Sequence, residues 1–201
     1  MDKRLLDGYI GVKFKALQRS DELRPEAEDL YRVFKHTCDL LKAHHMTPAN
    51  GGNVSTRFGE GFFISAAGCN LGCVEENELI FVERCDVEAE CVLYDGPMEP
   101  SSESVMHWLI YGNRPEAQAI IHAHDDFATR PELLAGVVGE SEREEPYGTI
   151  ELARMAIETF QRAERIIVLK NHGYVAMGPD LERTCDLVVE THLRLLGKRG
   201  N

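Results

Sequence analysis

The chain has 201 residues, the size of one domain that can bury a core without disulfide staples. Its 43% hydrophobic and 28% charged residues argue against extensive disorder. With 34 acidic against 22 basic residues, a net charge of −12, it disfavours sequence-independent binding to nucleic acid or an anionic membrane, which draws its affinity from Lys and Arg.

No run reaches the length of a membrane span, and Met1-Asp2-Lys3-Arg4 leads into mixed polarity without a signal-like apolar segment, so a cytoplasmic protein with a small-molecule partner is expected. Cys38, Cys69, Cys73, Cys85, Cys91 and Cys185 form no CxxC pair and read as reduced thiols. Residues 1–24 are expected to be a loosely attached N-terminal arm, and residues 25–201 a single domain. Pro25 suits a helix start, and Leu30, Val33, Phe34, Cys38 and Leu41 give one apolar stripe as far as about His45.

Short segments of strand character follow at 53–57, 61–65, 79–82 and 91–94, separated by Gly, Asn and acidic turns, and read as an antiparallel sheet. Ser101-Ser102-Glu103 opens an amphipathic helix to Tyr111, with a serine as cap and the glutamate favoured by the helix dipole. Ala119 to His122 reads as a buried strand, 150–161 as a helix and 165–169 as another strand. The final helix carries Leu181, Cys185, Val188, Val189, His192 and Leu196 on one stripe, which makes His192 a core or interface histidine. Sheet plus flanking helices gives an α/β domain.

Chemistry concentrates in three places. In His122-Ala123-His124, strand alternation sends both imidazoles to one face, within reach of a common ion. Asn171-His172-Gly173 places a third histidine just beyond a strand, where functional groups commonly emerge. Three neutral imidazoles leave a divalent ion its full charge and an open position from which to polarise a substrate oxygen. Glu103 is a candidate for proton transfer beside such an ion, although its position also suits a helix start. His107, one turn on, reads as a packing or supporting residue. Asn50-Gly51-Gly52-Asn53, Ser65-Ala66-Ala67-Gly68 and Ser101-Ser102 are turns by composition that could also cradle an anion.

Taken in order, Gly52-Asn53-Val54-Ser55, Ile64 to Gly68, Pro100 to Glu103, His122-Ala123-His124 and Asn171-His172-Gly173 resemble the class II aldolase/adducin family over about residues 30–196. The resemblance implies a three-layer α/β/α sandwich around a mainly antiparallel sheet, and a homotetramer with sites between subunits. It implies His122, His124 and His172 as ligands of zinc or another divalent metal such as manganese. Glu103 would be the acid/base, and Gly52, Asn53, Gly68, Ser101 and Ser102 would hold a substrate phosphate. The implied reaction is aldol cleavage of a small sugar phosphate or related hydroxy-carbonyl compound through a metal-bound enediolate.

The same site could instead serve epimerisation, dehydration or decarboxylation, and adducin-type relatives are non-catalytic binding modules. Ala67 stands where a hydroxyl residue is usual in the sugar-phosphate aldolases. The segment between His124 and Tyr147 is shorter than in the fuculose-phosphate enzyme, and the part carrying its catalytic tyrosine, like the closing C-terminal tail, is expected to be missing. Tyr147 reads as part of a structural turn. Glu140, Glu142, Glu144 and Glu145 read as a solvated loop.

Overall fold

Paired apolar residues that point to opposite faces of a strand give the centre of this protein two buried surfaces. The computed structural model describes residues 14–125, 130–134 and 136–198. In chain order the described elements are β1 (Lys15–Ser20), α1 (Glu26–Ala43), β2 (Asn53–Phe58), β3 (Gly61–Ser65), β4 (Leu79–Asp86), β5 (Cys91–Asp95) and α2 (Ser104–Asn113). They continue with β6 (Ala119–Ala123), α3 (Pro131–Leu134), β7 (Gly139–Glu140), α4 (Ile150–Phe160), β8 (Ile166–Leu169), β9 (Gly173–Gly178) and α5 (Leu181–Lys198). The strands form one sheet in the order β1-β5-β4-β3-β2-β6-β9-β8-β7. Its two outermost pairs, β1 with β5 and β7 with β8, are parallel, and the pairs between them are antiparallel.

Alternation sorts the core. Phe63, Ile121, Val168 and Tyr174 face one side, where they meet Phe34, Cys38 and Leu41 of α1 and Cys185, Val188 and Leu195 of α5. Their strand neighbours Phe62, Ile120, Ile167 and Val175 face the other, against Met106 and Ile110 of α2 and Leu152, Ala156 and Phe160 of α4. Each fully buried side chain of this size contributes roughly 1.5–3 kcal/mol of transfer free energy. Two long helices on each face of a mainly antiparallel sheet, with the short α3 beside α5, make the expected α/β/α sandwich, and no helix among the described residues is long and apolar enough to cross a membrane.

Part of the segment expected as a loose arm is a strand. Lys15–Ser20 pairs with β5, and Asp95 at the end of β5 accepts hydrogen bonds from Arg19 Nε and Arg24 Nε, each 2.8 Å. These guanidinium groups, Arg19 foremost, hold the Asp95 carboxyl below its usual range. Residues 1–13 of that arm lie outside the described residues. The strand β9 was also absent from the sequence expectation. It is buried along its whole length and so carries no alternating polar signal.

Candidate metal centre

The site is assembled at one end of the β2-β6-β9 seam. On β6, His122 lies opposite Asn53 of β2 and Val175 of β9, with its side chain fully buried. Alternation puts Ala123 into the α1/α5 core and sends His124, one residue past the strand, back to the face of His122. His172 occupies the turn between β8 and β9, and Asn171 turns the chain there with a left-handed φ of 55°. Each histidine offers a nitrogen, and the three nitrogens lie within 4.8 Å of one another. Imidazole nitrogens bound about 2.0–2.1 Å from one zinc ion would stand a little over 3 Å apart in a tetrahedral arrangement.

Close approach of the backbone is a condition of this convergence. A Cβ on Gly173 would sit 2.4 Å from the Ala123 carbonyl oxygen, and one on Gly52, whose φ is +86°, 2.6 Å from the His122 carbonyl oxygen. Glycine at both positions lets β9 and the turn before β2 press against the strand that carries His122.

Hydrogen bonding fixes what the histidines can accept. His122 Nδ1 lies 2.7 Å from the Tyr174 carbonyl oxygen and must carry the proton, which leaves Nε2 as a lone pair. That lone pair faces His124 Nε2 at 3.0 Å and Glu103 Oε2 at 3.2 Å. Burial pushes both His122 and His124 down to about 3, so neither ring supplies a second proton near neutral pH. Three ring nitrogens converge here beside Glu103 Oε1, which is buried without a hydrogen-bond partner and is an acceptor that a cation would satisfy. The donor set therefore fits a divalent cation: imidazole nitrogens suit zinc-like ions, with a carboxylate at hand.

Glu103 is the residue immediately before α2, only 4% exposed, with Oε2 accepting from Asn53 Nδ2 at 2.8 Å and Oε1 3.7 Å from His172 Nε2. The expected serine cap is not formed: Glu103 itself is the N-cap of α2 and makes no side-chain cap bond, while Ser101 Oγ accepts the Glu103 N–H at 3.3 Å in the turn before the helix. Backbone bonds from Ala67 N to Glu99 O (2.8 Å) and from Ser101 N to Ser65 O (3.0 Å) bring the Ser65–Gly68 and Pro100–Glu103 segments side by side. Gly52, Asn53, Gly68, Ser101 and Ser102, distant in sequence, thus lie on segments that meet at β2, β3 and the start of α2. Gly148 packs against Ser102, while Tyr147 is partly buried against the α2/α4 core.

His107 is fully buried. Its Nδ1 is 2.6 Å from Ser55 Oγ, which is 2.8 Å from the Tyr111 hydroxyl, and burial drives the ring down to about 3. It stands outside the three-histidine cluster, as does His192. Two residues went unnoticed in the sequence. Tyr174 supplies the carbonyl that orients His122, and Asp125 Oδ2 accepts from the Tyr174 hydroxyl at 2.8 Å and from His192 Nδ1 at 2.6 Å. An acidic residue directly after the histidine pair was the available signal. The acidic loop is solvent-exposed at Glu142 and Glu144, but paired: Glu142 with Arg162, Glu144 with the Asn171 amide, Glu145 with Arg143.

Comparison with known proteins gives a match of residues 33–193 to the model of the class II aldolase and adducin N-terminal domain. An L-fuculose phosphate aldolase of Methanocaldococcus jannaschii is 30% identical over 163 residues, covering 75% of this chain and 84% of that protein. A 5-methylthioribulose-1-phosphate/5-deoxyribulose-1-phosphate aldolase of Rhodospirillum rubrum is 31% identical over 159 residues, covering 72% and 69%. A solved L-fuculose 1-phosphate aldolase superposes with a TM-score of 0.69 at 25% identity, covering 89% of each chain.

Proposed function

Because the chain belongs to the class II aldolase and adducin family, we propose that it is a divalent-metal-dependent aldolase that cleaves a small sugar phosphate or a related hydroxy-carbonyl compound. The reading rests above all on one observation: the ring nitrogens of three histidines lie within 4.8 Å of one another, beside a buried carboxylate oxygen that has no hydrogen-bond partner. Proteins similar over most of this chain are named as aldolases of phosphorylated ketoses, which supports the substrate class.

In this proposal His122, His124 and His172 hold the ion, zinc or manganese, and Glu103 stands beside it. The ion supplies a Lewis acid for a substrate carbonyl oxygen. Glu103 Oε2 is occupied by the Asn53 amide, so Oε1 is the oxygen free to move a proton. In cleavage the carbon–carbon bond next to the carbonyl-bearing fragment breaks, that fragment keeps the electron pair, and Glu103 Oε1 delivers a proton to its carbon. The other fragment leaves as an aldehyde, giving its hydroxyl proton to solvent water, from which Glu103 regains the proton it delivered. Gly68, Ser101 and Ser102, on adjoining segments, bind the phosphate, with Gly52 and Asn53 closing the side nearest the ion. The enzyme is further proposed to be a cytoplasmic homotetramer, for which light scattering gives a direct test.

The deciding experiment begins with elemental mass spectrometry on the purified protein and on its His122→Ala/His124→Ala variant. About one divalent ion per chain, lost in the variant, is expected. The metal-loaded protein is then offered a panel of ketose phosphates in an assay coupled to dihydroxyacetone phosphate, with products followed by NMR. Release of that triose with an aldehyde supports the proposal. Turnover that keeps the carbon skeleton intact, or a protein that takes up no metal on reconstitution, overturns it.

A further inference from the structure

We propose that Tyr174, Asp125 and His192 form a positioning bracket that sets the bearing of the three histidines toward their ion, an inference that rests on the metal-centre reading above. The need for a bracket follows from where the ligands sit. Of the three, only His122 lies within a strand; His124 is one residue beyond β6, and His172 one residue before β9. Ladder hydrogen bonds alone therefore leave two ligands at fraying ends.

Tyr174 reaches all three. Its carbonyl oxygen accepts from His122 Nδ1 at 2.7 Å, and its backbone is two residues from His172 and opposite Ala123 in the β6·β9 register. Its hydroxyl donates to Asp125 Oδ2 at 2.8 Å, and Asp125 directly follows His124. The same Oδ2 accepts from His192 Nδ1 at 2.6 Å, which ties the exit of β6 to α5. The backbone N–H of His124 is held in turn by the Met46 carbonyl at 3.1 Å. The stretch from Ala123 to Asp125 is thus fixed from three directions.

Packing alone does not account for this choice of residues. Tyr174 is 0% exposed and Asp125 and His192 are each 6% exposed, with Tyr174 packed in the α1/α5 core. A buried carboxylate is costly unless paired, and a phenylalanine at position 174 would fill nearly the same volume without calling for one. What the polar trio adds is direction. Such supporting groups behind metal ligands typically change metal affinity by 10–100-fold when removed.

The test uses cobalt(II), whose visible spectrum reports ligand geometry, with wild type, Asp125→Ala, Asp125→Asn and Tyr174→Phe, and melting of each metal-free protein as a separate readout. Asp125→Ala is expected to weaken cobalt binding roughly 10–100-fold and to alter the visible bands. Asp125→Asn keeps an oxygen acceptor for both partners and is expected to restore most of the affinity and the native bands. Tyr174→Phe deletes a single oxygen, and should lose affinity in the same direction; it carries the test if Asp125→Ala fails to fold. Lower melting of the variants with unchanged affinity and spectrum would show a merely structural role and overturn the inference. So would an Asp125→Asn variant as weak as Asp125→Ala. Wild type that binds no cobalt would instead overturn the metal-centre reading, and this inference with it.

Discussion

Replacing Gly173 by alanine tests whether the close approach of β9 to β6 is what brings the three histidines together. The added Cβ would lie 2.4 Å from the Ala123 carbonyl oxygen and 3.3 Å from His124 Cα. Both obstacles are backbone atoms, so no side chain can swing away, and ordinary contact requires the strands to part locally by about 1 Å. That displacement would stretch the 2.7 Å bond between His122 Nδ1 and the Tyr174 carbonyl to about 3.7 Å, beyond hydrogen-bonding range. It would also move His172, attached to β9, away from His122 and His124, attached to β6. Overpacking of about 1–3 kcal/mol plus roughly 1 kcal/mol for the lost bond gives about 2–4 kcal/mol. At about 2–4 °C per kcal/mol for a domain of this size, the metal-free protein should melt roughly 10 °C lower. Differential scanning calorimetry measures this, and cobalt titration the affinity, which should fall at least tenfold by the spreading of the ligands. Gly112→Ala, within α2 and with nothing within 4 Å of the new Cβ, is the control and should be neutral or slightly stabilising. A Gly173→Ala protein with wild-type melting and affinity would refute the argument that the seam is tight.

The remaining predictions concern charge and protons. Glu103→Gln keeps the shape and an oxygen for the Asn53 amide, so metal content by elemental mass spectrometry should stay near wild type while turnover falls about 10²–10⁴-fold; turnover within tenfold of wild type would remove Glu103 from the proton-transfer role. His107, His122 and His124 are all held neutral by burial, down to about 3, whereas unfolded histidines titrate near 6.5. Above about pH 6.5 these rings are neutral in both states and their contribution to stability is fully present. As pH falls toward 3, the unfolded chain takes up protons that the buried rings refuse, and stability is lost, on the order of 4 kcal/mol per pH unit around pH 5 for the three rings together. Urea midpoints of the metal-free protein between pH 7 and 5 should drop accordingly, and a flat profile would count against neutral, buried imidazoles.

How much of this was legible in the sequence depended on how local the cause was. The strands from β2 to β5 alternate or lie between clear turns, and the helices from α1 to α5 show their stripes where they exceed two turns, so both kinds of element emerge from spacing. β1 did not, because Lys15–Ser20 is a polar edge strand whose identity depends on a partner more than 70 residues away, and the Arg19–Asp95 bond closes a separation of 76 residues. β9 did not, because burial on both faces erases the period. Within the site, the two-residue spacing of His122 and His124 states its geometry directly, and His172 follows a recognisable strand. The bonds that orient them span separations of 49 to 67 residues, such as Tyr174 to Asp125 and His192 to Asp125, and only the folded chain brings those partners together.

The glycine-rich turn before β2 illustrates a related ambiguity that geometry narrows. In sequence, Gly51-Gly52-Asn53 reads as well for an anion cradle as for a turn. In the fold, Gly52 has no room for a Cβ because the His122 carbonyl is in the way, and the Asn53 Nδ2 donates to Glu103 Oε2. Both residues are therefore required by the carboxylate and the histidine strand whether or not a phosphate binds. Gly68 differs: a Cβ there would meet nothing within 4 Å, and the segment lies beside Ser101 through the Ala67–Glu99 and Ser101–Ser65 backbone bonds. Its φ of +72° favours glycine, but the space above it is open to a ligand. In the proposed aldolase, phosphate recognition, to which Ala67 contributes no hydroxyl, would thus fall chiefly to the Gly68, Ser101 and Ser102 segments. On that proposal, changes of substrate among related chains should fall on that side, while Gly52, Asn53 and Gly173 stay tied to Glu103 and the three histidines.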